Sequence, residues 1–418
     1  MYVCELDRPW TETRFLFQGF EIREREELEE LARLCRYVYI ETDPERRPEP
    51  DRPRPAAGAG APPERERFSE RRPALSLLDR FLAPRPGPAR YPDRVPVEQE
   101  LPRARSAVRD TKRVLDDILR DARLGGSVET DAARAAVRAL VQSVLRNPDA
   151  LIWLNQLKNK DDYTAEHSLR VCVLALAFGR HLELDESELN TLGLGALLHD
   201  VGKTRIPLEI LNKPERLTPE EFDIVRQHVP IGVEMLAGAS RIPAAAIDVA
   251  QQHHERLDGS GYARGARGEQ IALFGQIGGI VDTYDAITSD RPYHRGMSVH
   301  DALRVMYEWR RESFHTTLIE QFIQCMGVYP IGSIVELNDG ALGVVIAVNR
   351  ERRLRPRVAL VLDPGQRPYL PPRLIDLTQE DTRGPHAVNI RRVLPAGSFG
   401  INPLRYLPLA GFSELQLA

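Results

Sequence analysis

The chain has 418 residues, 42% of them hydrophobic, and a formal net charge of −4 at pH 7. That length allows two or three domains with a sizeable core, and the slight acidic balance excludes the basic excess of a general nucleic-acid-binding surface. No apolar run approaches the roughly 20 residues that span a bilayer. The opening "MYVCELDRPW" lacks a basic stretch followed by an apolar core, so it is not expected to act as a signal peptide. The cysteines Cys4, Cys35, Cys172 and Cys325 are scattered with no C-x-x-C pair, so reduced thiols in a cytoplasmic protein are expected.

Residues 1–42 read as a small α+β domain. "RFLFQGFEI" alternates like a strand, "REREELEELARLCR" places Leu28, Leu31, Leu34 and Cys35 at helical spacing, and "YVYIE" reads as a strand. From 43 to 98 the chain turns to Pro, Arg, Glu, Gly and Ala. Too little apolar surface is available there to offset ordering entropy, and a linker is expected. Residues 99–149 read as a helical connector. Between 150 and 328 helical periodicity recurs at 164–182, 187–200, 218–237, 243–254, 276–289 and 299–310, with scarcely any strand signal, which indicates an all-α domain. Over 329–418 the period changes to two. "SIVELNDGALGVVIAV" reads as a hairpin turning at Asn338-Asp339-Gly340, "RPRVALVLD" supplies another strand, and a small β-rich module follows. The fold class expected is mainly α, with that helical domain flanked by the two smaller units.

Chemistry concentrates in the helical domain. His167, His199-Asp200, His228, His253-His254 and Asp282 fall on or just beyond successive apolar helices. One buried histidine is more often a satisfied core residue than a ligand. Five with two aspartates in one domain would be costly to bury unpaired, and a shared cation removes that cost, because imidazole and carboxylate are its ordinary donors. One ion takes three or four protein ligands. Seven donors therefore suggest two ions bridged by Asp200, the arrangement that serves phosphoryl displacement. A donor set without thiolate suits iron or manganese and also accommodates zinc. Only five lysines occur, and one of them, Lys203, follows the His-Asp pair, where a compact ammonium could meet a phosphate. The run Glu255, Arg256 and Asp258 reads either as a solvated loop or as part of a substrate-facing one.

Together "LLHDVGKTRIP", "NKPERLTPEEF", "HVPIG", "HHERLDGSGY" and "VDTYDAITSDRPY" resemble the HD-GYP domain, a subgroup of the HD metal-dependent phosphohydrolases, over about residues 150–327. The first 42 residues are similar to a small domain that precedes HD-GYP in many bacterial proteins. The resemblance implies an HD-type helical fold that hydrolyses cyclic di-GMP to linear pGpG, in some members onward to GMP, lowering this second messenger in bacterial signalling. It implies His167, His199, Asp200, His228, His253, His254 and Asp282 as metal ligands, and Lys203 and Asp200 as catalytic groups, with Lys203 contacting the scissile phosphate or protonating the leaving oxygen. Asp161 and Asp285 match acids that orient ligands. Tyr262 lies in the substrate-facing loop, and Arg291 matches an arginine that grips a phosphate.

Three positions depart from the family pattern. The name-giving proline is Ala263, which loses a fixed φ. A basic residue expected three positions after Arg291 is His294. A glutamate that holds a third ion in some members is Tyr163. The competing expectations are another nucleotide phosphohydrolase of the HD superfamily, and a weakly active cyclic di-GMP-binding module that docks on a diguanylate cyclase, with a homodimer compatible with either.

Overall fold

The computed structural model describes residues 2–6, 20–22, 25–36, 38–41, 91–156, 163–289, 296–310, 312–349, 352, 354–381, 387–395 and 397–406. The chain divides into two compact units, Met1–Ala83 and Pro84–Ala418.

In the first unit, strands β1 (Tyr2–Leu6), β2 (Phe20–Glu21) and β3 (Val38–Glu41) form an antiparallel sheet of order β2-β1-β3, with helix α1 (Arg25–Leu34) between the last two in sequence. Val3, Leu6 and Leu31 close its core together with Ile22, Cys35 and Val38. The strand expected over "RFLFQGFEI" appears only at Phe20–Glu21, because 7–19 lie outside the described residues. β1 carried no alternation strong enough to mark it.

The second unit begins earlier than composition suggests. Residues 43–90 lie outside the described residues, but 91–98, read above as the end of a linker, belong to the helical body. Tyr91 donates its hydroxyl to the Leu184 carbonyl at 3.0 Å, and Arg180 donates to the Tyr91 carbonyl at 2.7 Å and to Asp93 at 2.8 Å. Both Arg180 bonds come from one terminal nitrogen of a buried guanidinium, a tie that a composition-based reading cannot see. Helix α2 (Val97–Arg123) then packs on α3 (Thr130–Arg146) through fully buried Glu100. Its carboxylate accepts from Ser143 at 2.7 Å and from Arg146 at 2.6 and 2.7 Å.

After α4 (Pro148–Asn155) comes α5 (Tyr163–His181), the hub of the domain. Val171–Phe178 is apolar all round and buried all round, as a central helix must be. Each large side chain so buried contributes about 1.5–3 kcal/mol. Helix α6 (Glu186–Leu198) starts at a reciprocal cap between Asp185 and Glu188 and runs to His199, where a 3-10 turn (Val201–Arg205) takes over. After short α7 (Leu208–Leu211), the helix expected over 218–237 is two helices: α8 (Pro219–Arg226), capped by Thr218 and Glu221, and α9 (His228–Ala237). Pro230 explains the break, since it lacks the N–H a continuous helix would use and is tolerated only in a first turn. Helices α10 (Ala244–Gln252), α11 (Leu273–Thr288), α12 (Val299–Glu308) and α13 (Thr316–Met326) complete the bundle.

The C-terminal strands β4 (Ile334–Leu337), β5 (Leu342–Ala347), β6 (Arg357–Leu362), β7 (Pro368–Asp376) and β8 (Ile390–Leu394) form an antiparallel sheet of order β7-β6-β5-β4-β8. The β4–β5 turn closes as expected: Gly340 takes φ +91°, and the Ala341 amide donates to Asp339 at 2.9 Å. Among the described residues no helix is long and apolar enough to cross a membrane.

Candidate metal centre

Three of the histidines sit where a helix has just ended. His199 follows α6, His228 follows α8 by two residues and opens α9, and His253 follows α10. A helix C-terminus leaves carbonyls without amide partners, and each ring turns its Nδ1–H back onto one of them. His199 donates to Ala196 at 2.8 Å, His228 to Val225 at 2.6 Å, and His253 to Ala250 at 2.9 Å. A carbonyl only accepts, so Nδ1 is protonated and Nε2 is left as a lone-pair donor aimed inward. His167, in the second turn of α5, achieves the same through another helix, since its Nδ1 meets Asp285 of α11 at 2.8 Å. Arg170 fixes that carboxylate with two bonds of 2.7 and 3.0 Å.

The inward atoms converge on two carboxylates. Asp200 Oδ2 lies 3.3 Å from His199 Nε2 and 3.6 Å from His167 Nε2, while its Oδ1 lies 3.3 Å from His228 Nε2 and 3.8 Å from His253 Nε2. Asp282 Oδ1 is 3.0 Å from His167 Nε2 and 3.9 Å from His199 Nε2, and its Oδ2 is 3.9 Å from His254 Nδ1. Among the described residues three triads emerge, His167–His199–Asp282, His228–His253–His254 and, joining them, His199–Asp200–His253, each with donor atoms within 4.8 Å of one another. Asp200 stands between the first two and turns one oxygen to each.

One glycine makes this approach possible. A Cβ at Gly202 would strike the His228 carbonyl oxygen and lie 2.6 Å from the Gly232 nitrogen, so only a bare Cα lets the 3-10 turn meet α9 so closely.

Electrostatics leave three of the rings ready to ligate. Burial depresses His228 to about 4 and His253 to about 3, and burial with the neighbouring His253 pushes His254 well down. His167 is the exception: burial opposes its protonation, but Asp282 and Asp285 outweigh it and raise the ring to about 9. Asp200 and Asp282 are held far below the usual carboxylate range despite burial, by Lys203 and His199 in one case and by His167 in the other. Buried His199 Nε2 and Asp200 Oδ1 receive no hydrogen bond. Leaving such atoms unmade is expensive, and a cation between them removes the expense. Neutral His228, His253 and His254 beside ionised Asp200 and Asp282 offer donors suited to a divalent metal.

Lys203 donates to Asp200 Oδ2 at 2.5 Å, on the His167–His199 side. Tyr262 stacks on His254, with ring centroids 4.5 Å and planes 28° apart, and forms a wall of the site. The Tyr262–Ala263 peptide is cis. Glu255 and Arg256 are not solvated. Glu255 is 4% exposed and accepts the backbone N–H groups of Arg264 at 2.7 Å and Ala266 at 3.0 Å, pinning the Tyr262 loop, while Arg256 donates to the His253 carbonyl at 3.1 Å. Their roles, and that of Arg170, escaped sequence reasoning because each depends on which backbone or carboxylate the fold brings to it. Asp161, Arg291 and His294 lie outside the described residues. His181 and His300 stand apart from the cluster, the first on Gln321 at 2.9 Å and the second on the Val328 carbonyl at 3.2 Å.

Comparison with known proteins agrees with this architecture. Family models match an HD domain at 152–318, a domain of unknown function at 1–133, and a KOW domain associated with HD domains at 334–384. Over 304 residues the chain is 40% identical to a cyclic di-GMP phosphodiesterase of Pseudomonas aeruginosa, an alignment covering 73% of this chain and 72% of that one. It is 36% identical over 178 residues to a cyclic di-GMP phosphodiesterase of Thermotoga maritima, covering 42% of this chain and 48% of the relative. It is also 36% identical over 159 residues to a 3′3′-cGAMP-specific phosphodiesterase of Vibrio cholerae, covering 38% and 34%. The last two are thus matched over half their length or less. The HD-domain match, the ordered His/Asp motifs within it and 40% identity across most of the chain show that this protein belongs to the HD-GYP family of cyclic di-GMP phosphodiesterases.

Proposed function

We propose that the chain opens the ring of cyclic di-GMP to linear pGpG, with slow onward hydrolysis to GMP, at a centre that holds two divalent ions. The observation that carries this reading is Asp200, whose two oxygens face two different histidine groups. His167, His199 and Asp282 would hold one ion and His228, His253 and His254 the other, with Asp200 bridging; iron or manganese fits best, and zinc is accommodated. Such ions, when bound, supply positive charge for the phosphoryl oxygens and acidify water.

The chain's own residues do the rest. Helix-end carbonyls and Asp285 keep the rings in the ligating tautomer. Lys203, 21% exposed at its side chain, reaches buried Asp200 and is placed to meet charge developing on phosphate or leaving oxygen. Tyr262 lines the approach. Arg291 is assigned to the phosphates on family resemblance, and His294 to substrate contact from its place where the family has a basic residue. The test is turnover of metal-loaded protein on cyclic di-GMP, 3′3′-cGAMP and GTP, with products separated by chromatography. Linear pGpG from cyclic di-GMP is expected. A fully loaded protein that cleaves none of the cyclic dinucleotides would overturn the reading.

A further inference from the structure

Beside the metal centre stands a cluster that its chemistry does not use. Phe222 in α8 is 36% exposed, an unusual position for a phenyl ring. Its ring meets Tyr262 edge-on, with centroids 5.9 Å and planes 81° apart. The Arg226 guanidinium, one helical turn further on, lies over both rings, 4.6 Å from the Phe222 centroid and 5.1 Å from that of Tyr262. Tyr262 in turn stacks on His254, and Arg226 precedes His228 by two residues. The cluster therefore adjoins the donor set through the Tyr262–His254 stack.

A guanidinium held over an aromatic face keeps N–H groups at its rim that can still donate. The Arg226 side chain remains 45% exposed, and its contact with Asp223 is 3.4 Å long between two exposed groups, a pair that contributes little and is readily displaced. A guanidinium's fork of N–H donors matches one base edge in particular. Guanine presents two acceptors, O6 and N7, to it, whereas adenine presents an amino donor beside N7 and repels one arm of the fork. Aromatic faces meanwhile stack any base without distinguishing it.

The geometry points to Arg226, held over the rings of Phe222 and Tyr262, as the residue that reads guanine. This rests on the reading of the centre as a cyclic dinucleotide phosphodiesterase. It adds the basis on which such an enzyme distinguishes cyclic di-GMP from adenine-containing rings.

The test compares Arg226→Gln with wild type. Glutamine exchanges the double donor for a donor–acceptor pair that suits adenine. The readout is the ratio of kcat/KM for cyclic di-GMP to that for 3′3′-cyclic di-AMP, in which any loss common to both substrates cancels. That ratio is expected to fall roughly tenfold or more, and Arg226→Lys, which keeps the charge without the fork, is expected to fall between. An unchanged ratio in both variants overturns the proposal while leaving the phosphodiesterase reading intact. If wild type cleaves no cyclic dinucleotide, the earlier reading fails, and the affinities of metal-loaded protein for GMP and AMP decide the present one. A preference for GMP that Arg226→Gln abolishes supports base reading, and equal affinities in wild type refute it.

Discussion

Gly202→Ala places one methyl group at the tightest point of the metal centre. The new Cβ would stand 2.6 Å from the Gly232 nitrogen and closer still to the His228 carbonyl oxygen, whereas ordinary contact begins near 3.4 Å. Relative to the nitrogen alone, α9 must retreat by about 0.8 Å, and both obstacles are backbone, which cannot rotate aside. A shift of that size carries His228 away from Asp200 Oδ1, now 3.3 Å from it. Metal sites tolerate about 0.2 Å, and a displacement near 1 Å costs about 100-fold in rate. Overpacking adds about 1–3 kcal/mol of destabilisation. We therefore expect Gly202→Ala to lose at least about half of its metal and about 100-fold in kcat, while retaining helical circular dichroism at 25 °C. Gly232→Ala is the control, because its Cβ meets the Gly202 nitrogen at 3.3 Å and needs only a few tenths of an ångström. Elemental analysis and cyclic di-GMP turnover on the two variants decide the matter. If Gly202→Ala keeps full metal and near-normal turnover, the close approach of the turn to α9 does not set the centre's geometry.

Asp200→Asn removes charge from the carboxylate shared by both histidine groups; loss of most bound metal and of measurable hydrolysis is expected, and a variant with two ions per chain would remove the bridging role. Lys203→Met is expected to retain metal, because a protonated amine has only donors, and to slow turnover by about 10²–10³, the usual effect of deleting one transition-state partner; a parallel loss of metal would show that Lys203 instead sustains Asp200 structurally. Chelation should lower the thermal midpoint, since ions at a hundredfold above their Kd stabilise by about 2.7 kcal/mol; calorimetry with and without EDTA tests this, and coincident transitions would mean that the buried donors are satisfied without a cation.

Much of the fold was legible because the helical domain alternates apolar and polar residues at the spacing its helices use. The failures have local causes. The division between α8 and α9 hinged on Pro230, which two amphipathic stretches of matching phase concealed. Strand β7 contains three prolines in "PYLPPRLID" and so does not read as a strand; it tolerates them because it is an edge, where one row of N–H groups has no partner to lose. Helix α13, "TTLIEQFIQCM", is short and follows a loop, and its apolar face emerged only from packing. In the site, the histidines and aspartates stood out because such residues are conspicuous on apolar helices. Glu255, Arg256 and Arg170 did not, since a charged residue in a charged stretch looks alike whether it is solvated or holds a loop or a carboxylate in place.

The inward-turned Nδ1 bonds have a dynamic consequence. At His199, His228 and His253 the bond that aims the ring is also a bond that closes the last turn of the preceding helix. Fraying of that turn and misdirection of the ring are therefore a single event, and an ion that holds Nε2 suppresses both. Occupancy is then written into the amide exchange rates of the final turns of α6, α8 and α10, while His167, whose Nδ1 is held by Asp285 on another helix, reports instead on the seating of α5 against α11.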